Sequence, residues 1–182
     1  MKICLYGSAK DAIDEVYKTR TAALVTLLAG RGHQLVFGGG DRGLMGVAAR
    51  AMKNGGGRVT GVAPDFFKEG PVKHLYDGSD TLVSCKTMYE RKQIMEELAD
   101  GFLIVPGGIG TYDEFFGVMS TKQLGRHDKP IAVFNVNGFY DDLDAMIKST
   151  LKKGFIGEEY FNMCKFSDRD EEILRYFEDS TK

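Results

Sequence analysis

The run Pro106-Gly107-Gly108-Ile109-Gly110-Thr111-Tyr112-Asp113-Glu114 places groups that bind beside a group that can react. Three glycines let an anion approach the backbone, the Thr111 hydroxyl adds a donor, and a carboxylate stands three residues on at Glu114. The run follows the apolar segment Phe102-Leu103-Ile104-Val105 and opens a predicted helix. Free N–H groups and the dipole of such a helix start favour a phosphate. Thr111-x-x-Glu114 is also the pattern of a capping box, and spacing alone leaves capping and catalysis both open. A carboxylate within a turn of a phosphate would repel it, so Glu114 suits a place beside a sugar better than one on the phosphate.

A second departure lies in Met88-Tyr89-Glu90-Arg91-Lys92. Met88, Met95 and Leu98 mark the buried side of a predicted helix, and the next position on that side is 91 or 92, both cationic. One of these charges is expected to face a cleft. The alternative is that both reach solvent, with Lys92 pairing with Glu96 one turn on. A third feature, Gly38, Gly40 and Gly43, fits G-x-G-x-x-G between a strand and a helix, with Asp65 22 residues after Gly43. That pattern suggests a dinucleotide turn, although it belongs to the first βα turn of its unit and Asp65 falls beyond Pro64.

These groups need elements to hold them. Strands are expected at Lys2 to Tyr6, Gln34 to Phe37, Arg58 to Ala63, Thr81 to Cys85, Gly101 to Val105, Ile131 to Asn135 and Met163 to Phe166. Helices are expected at Ala12 to Ala29, from about Leu44 to Asn54, Thr87 to Ala99, Thr111 to Gln123, Tyr140 to Lys152 and from about Asp170. Pro64 to Asp80 reads as a long loop. Strands alternating with helices of ten or more residues imply an α/β fold, a doubly wound, Rossmann-like parallel sheet with helices on both faces. No internal repeat or change of composition divides residues 1–182, so one nucleotide-binding domain is expected, with its ligand at the carboxyl ends of the strands.

Composition agrees. The 182 residues hold 23 Gly and 4 Pro, a Gly share about twice the usual ~7%. Gly7, the Gly38 to Gly43 group and the Gly107 to Gly110 group all fall at strand ends. With 43% hydrophobic residues the chain can bury a core, which excludes disorder and collagen. A net charge of -2 argues against a nucleic-acid or anionic-membrane partner. No apolar run approaches the ~20 residues of a membrane span, and Met1 to Leu5 leads straight into a strand without a signal-peptide pattern, so a cytoplasmic location is expected. Cys4, Cys85 and Cys164 lie in predicted strands, and His33, His74 and His127 are scattered; neither set has metal-ligand spacing, so no metal is expected.

Together, Gly7-Ser8, Gly38 to Gly46, Met88 to Lys92, Pro106 to Glu114 and Gln123-Leu124-Gly125-Arg126-His127-Asp128-Lys129-Pro130 resemble the LOG ("Lonely Guy") family, once labelled "lysine decarboxylase-like". The match runs from about Lys2 to Lys153. The resemblance implies a homodimeric phosphoribohydrolase that cleaves the N-glycosidic bond of a nucleoside 5'-monophosphate, AMP or an N6-modified AMP, and needs no cofactor. Carried over by position, Arg91 and Glu114 are the catalytic pair. Gly107, Gly108, Ile109, Gly110 and Thr111 hold the phosphoribosyl group, Met88 approaches the base, and Lys92, Gly7, Ser8, Gly39, Gly40 and Ser120 line the site, with Glu69 as a further substrate contact. The chain departs from the family at Ser120-Thr121, where Thr-Trp is usual, at Ala9 in place of a second Ser, and in the spacing around Glu69. A non-catalytic carrier of a nucleotide or phosphorylated cofactor is the alternative on the same scaffold. A pyridoxal phosphate decarboxylase would need a desolvated lysine, and nothing marks Lys92 or Lys122 as one.

Overall fold

A computed structural model describes residues 1–69 and 74–180. In chain order the elements are β1 (Lys2–Tyr6), α1 (Glu15–Gly30), β2 (Gln34–Phe37), α2 (Gly43–Asn54), β3 (Val59–Pro64), α3 (Phe66–Glu69), β4 (Thr81–Cys85) and α4 (Met88–Leu98). They continue with β5 (Gly101–Ile104), α5 (Ile109–Gln123), β6 (Ile131–Phe134), α6 (Asp141–Lys152), β7 (Lys165–Ser167) and α7 (Asp170–Asp179).

The strands form one parallel sheet in the order β4-β3-β2-β1-β5-β6-β7. Successive strand residues point to opposite faces, and both faces are covered. Ile3, Leu5, Leu35, Phe37 and Leu103 pack with Leu24, Leu28, Met52, Ile173 and Phe177 of α1, α2 and α7. Cys4, Tyr6, Val36, Phe102 and Ile104 pack with Met95, Phe115, Val118, Leu143 and Ile147 of α4, α5 and α6. This is why inner strands such as β5 and β6, buried along their whole length, read as near-continuous apolar runs rather than alternating ones. The α/β, doubly wound architecture is the expected one.

Several boundaries differ from expectation for identifiable reasons. Helix α1 begins at Glu15 rather than Ala12, because the Asp11 carboxylate is engaged elsewhere, accepting the Gly43 N–H at 2.8 Å. Helix α5 begins at Ile109 with Gly108 as its N-cap, and the Tyr112 N–H donates to the Gly108 carbonyl. Thr111 therefore lies inside the first turn and is not the cap. The loop after β3 contains the short α3, and its return is paired antiparallel with the end of β2 through Gly40 and Leu75. Strand β7 starts at Lys165, so Cys164 stands just before it.

Candidate active site

The sheet order reverses between β1 and β5. Strand β1 hands the chain toward β2 and β5 hands it toward β6, so the loops diverge and leave a crevice at the carboxyl ends. Gly7-Ser8 forms one lip and Pro106 to Gly110 the other. Ser8 ties the lips together: its N–H donates to the Pro106 carbonyl at 3.0 Å, and its own carbonyl accepts the Leu44 N–H at 2.8 Å. The G-x-G-x-x-G run follows β2, one strand away from the reversal, and so lacks the position of a dinucleotide turn.

On the β5 lip, α5 starts without a side-chain cap and without an acidic residue in its first turn. Gly108, Ile109 and Gly110 are exposed. Among the described residues a Cβ added to Gly108 or Gly110 would meet no atom within 4 Å, so the exposed first amides of the helix can receive an anion. Thr111 is 4% exposed and packs on the bare Cα of Gly107, where any side chain would collide with it.

Arg91 comes from α4. The Thr87 hydroxyl accepts the Glu90 N–H at 3.1 Å, and the Glu90 carboxylate accepts the N–H of Lys86, the residue before the cap, at 2.8 Å; together they fix the start of α4. One turn in, Arg91 is 5% exposed. Its Nε donates to the Val62 carbonyl of β3 at 3.1 Å and its Nη1 to Glu114 Oε1 at 3.2 Å. The guanidinium lies over Gly38, where a Cβ would overlap it. The charge expected to face a cleft is therefore Arg91, and Glu114 serves this ion pair rather than a cap.

The Glu114 side chain is 12% exposed. Burial raises its carboxyl above the ordinary range; Arg91, and more weakly Lys92, pull it back without cancelling the effect. The pair is a fixed cation and a carboxylate held ready to accept a proton. Lys92 does not pair with Glu96 as one alternative had it but with Asp113 on α5. That bridge is half in solvent and so is worth no more than ~1 kcal/mol, weak enough for a phosphate to draw the ammonium away.

Between α4 and α5 runs an open groove of about 470 Å³, lined by Tyr89, Lys92, Gln93, Glu114, Phe116, Gly117 and Ser120 among others. The structure thus gathers Lys92, Glu114 and Ser120 along one groove, and the buried Arg91 reaches it through its bond to Glu114. Met88 is exposed at the head of α4 but is not part of the groove lining; Tyr89 is. Gly39, with φ 77°, and Gly40 form a wall whose backbone is engaged by the 74–76 segment, the Gly39 carbonyl accepting the Tyr76 N–H at 2.9 Å. The side chain of Glu69 lies outside the described residues. Tyr89, Gln93, Asp113 and Gly117 were not singled out in the sequence, and no local pattern distinguishes them.

The run from Gln123 to Pro130 holds the two helices. His127 Nε2 bonds the Val118 carbonyl at 3.1 Å while its Nδ1 accepts the Lys129 N–H at 3.2 Å, which assigns the neutral ring with the proton on Nε2. Burial lowers its pKa and keeps it so. Lys129 donates to the Glu96 carbonyl of α4 at 2.7 Å. Lys122 donates to the Lys129 carbonyl at 2.8 Å and is committed there. Among the described residues no group of three His, Cys, Asp or Glu could hold a metal, and no helix is long and apolar enough to cross a membrane.

Comparison with known proteins gives the chain's family and fold. The family model described as "Possible lysine decarboxylase" matches residues 45–177. The cytokinin riboside 5'-monophosphate phosphoribohydrolase of Mycobacterium tuberculosis is 38% identical over 174 residues, covering 95% of this chain and 91% of that protein. The phosphoribohydrolase LOG2 of Arabidopsis thaliana is 31% identical over 178 residues, covering 98% and 83%. Among solved structures, the molybdenum cofactor binding protein of Rippkaea orientalis superposes with a TM-score of 0.75 at 16% identity, covering 100% of this chain and 98% of that one. The molybdenum cofactor carrier protein of Chlamydomonas reinhardtii gives 0.73 at 20%, covering 98% of each. At such identities the structures show a shared fold alone. The sequence matches show more: the chain belongs to the LOG family, the family that this lysine decarboxylase-like model describes.

Proposed function

We propose that the protein hydrolyses the N-glycosidic bond of a purine nucleoside 5'-monophosphate, releasing the free base and ribose 5-phosphate. The carrying observation is the buried Arg91–Glu114 pair one turn inside an uncapped, glycine-lined helix start. The phosphate sits on the amides of Gly108, Ile109 and Gly110 with the Thr111 hydroxyl. Gly7 and Ser8 form the facing lip, and Gly39 and Gly40 the far wall. Glu114 then lies beside the sugar. As the C1'–N9 bond breaks, its electron pair leaves with the base and positive charge grows on the ribose; the carboxylate stabilises that charge and takes a proton from water as the hydroxyl joins C1'. The proton gained in place of the broken bond ends on the base. Arg91 cannot act as a base. It holds Glu114 in place and offers positive charge to the phosphoribosyl oxygens, and Lys92 adds a second cation. Ser120 flanks the base end in the groove, Met88 approaches the base from the exposed head of α4 outside the groove lining, and Glu69 is a further contact.

The relatives' names, cytokinin riboside 5'-monophosphate phosphoribohydrolase, support this reading, and the proposed substrate is N6-modified AMP or AMP. A purely binding role, as in the carrier alternative, leaves the carboxylate without a purpose beside an anionic ligand. The single sheet that carries every one of these groups supports treating residues 1–182 as one nucleotide-binding domain. Met88, Tyr89, Ile109 and Leu124, apolar and exposed on α4, α5 and its end, support the homodimer, which light scattering tests. Cys4 and Cys164 are free thiols, which fits a reducing, cytoplasmic compartment. The activity is tested by incubating the purified protein with AMP and N6-isopentenyl-AMP and quantifying base and ribose 5-phosphate by chromatography. Equal molar release of both supports the reading; binding without release defeats it.

A further inference from the structure

Gly117 sits in the interior of α5, a place where glycine destabilises a helix relative to alanine. Nothing among the described residues requires it. Its backbone is not in the left-handed region, and a Cβ added there would meet no atom within 4 Å. The empty space opens into the groove between α4 and α5, faced by Tyr89, Gln93 and Phe116. Thr121, one turn further on, turns its hydroxyl back to the Gly117 and Val118 carbonyls at 3.1 and 3.2 Å and asks nothing of the groove.

The register of α5 shows what that space is for. Counted from Ile109, Glu114 lies ~7.5 Å along the axis and Gly117 ~12 Å. A nucleotide with its phosphate at the helix start and its glycosidic bond at Glu114 therefore brings the far edge of its purine over Gly117. We propose that Gly117 is a specificity-determining position, clearing room for a bulky substituent on the edge of the purine remote from the sugar. This rests on the hydrolase reading for the placement of the nucleotide, and it assigns the size limit of the base to one position on α5.

The test uses Gly117→Ala and Gly117→Leu. Steady-state base release is measured from AMP and N6-benzyl-AMP, and affinities for both are measured by calorimetry in the Glu114→Gln background, where turnover is stopped. Gly117→Leu is expected to weaken N6-benzyl-AMP at least ~10-fold while AMP changes less than ~3-fold. Gly117→Ala is expected to raise the melting temperature, because it restores helix propensity without a clash, with a smaller shift of the same sign in the affinity ratio. Equal loss for both nucleotides, or no change in either, overturns the proposal. So does a change of mass in light scattering with both affinities intact, since the space would then belong to a second copy of the chain. If the protein binds both nucleotides but releases no base, the hydrolase reading falls and the affinity ratio still decides the role of Gly117. A protein that binds neither nucleotide overturns both.

Discussion

Helices α2 and α5 both begin in glycine-rich turns at the carboxyl edge of the sheet, and only one of them is open. At α2 the Gly43 N–H donates to Asp11 Oδ1 at 2.8 Å and the Leu44 N–H to the Ser8 carbonyl at 2.8 Å. Arg42 stands 3.8 Å from the other Asp11 oxygen. The protein's own carboxylate occupies the place where an external anion would bind. At α5 no side chain caps the helix and the first three residues flanking its start are exposed. Glycines make a close approach feasible in both turns. Whether the amides are left unsatisfied decides which turn binds an anion.

Four changes separate the two turns, the first with the largest effect. Glu114→Gln keeps the shape and the partner of the carboxylate beside α5 but removes its charge; kcat is expected to fall ~10³-fold with nucleotide affinity within ~3-fold, read by base release and calorimetry. The same carboxylate sets the pH profile. Its folded pKa is raised by burial, so the ionised, active form is lost as pH falls through a value above the ~4.3 of an ordinary glutamate. The acid limb of kcat/KM is expected above that value, and a limb at or below it would remove Glu114 from the role.

Gly110→Asp closes the open turn with a fixed carboxylate, as Asp11 closes α2. It is expected to raise KM ~10- to 100-fold through charge repulsion with the phosphate while leaving the melting temperature unchanged or higher, since an acid in the first turn suits the dipole. Gly38→Ala intrudes on the Arg91 guanidinium and should lower kcat/KM ~10-fold by displacing the ion pair. Asp11→Ala uncaps α2 at a cost of ~1 kcal/mol, a fall in melting temperature of ~2–4 °C, with KM within ~2-fold. A KM loss for Asp11→Ala as large as that for Gly110→Asp would mean that the α2 turn carries the phosphate after all.

The sequence revealed these two turns unequally. Strands β1, β2 and β4 have the expected bounds because each is a short β-rich run closed by Gly or by polar turn residues. Arg91 could be suspected because it interrupts the buried side of α4. What it faces could not be read, since Glu114 is 23 residues away and the bond to the Val62 carbonyl spans 29; such pairings exist only once the sheet is assembled. The start of α1 departs from expectation for the same reason, Asp11 being held by the Gly43 N–H of α2, which its carboxylate accepts. The Thr111-x-x-Glu114 spacing fits a cap as well as it fits a site, and only the helix start at Gly108 separates them. The same spacing at Thr87 and Glu90 lies where a cap is in fact made, the Thr87 hydroxyl accepting the Glu90 N–H.

The account stands on where the phosphate lies and which bond that placement brings to Glu114. The direct measurement is the crystal structure of the Glu114→Gln protein with AMP. The expected result has the phosphate on the amides from Gly108 to Thr111, C1' beside residue 114 and the adenine edge over Gly117. A phosphate on the turn from Gly40 to Gly43, or a ribose whose C1' lies out of reach of residue 114, would contradict it.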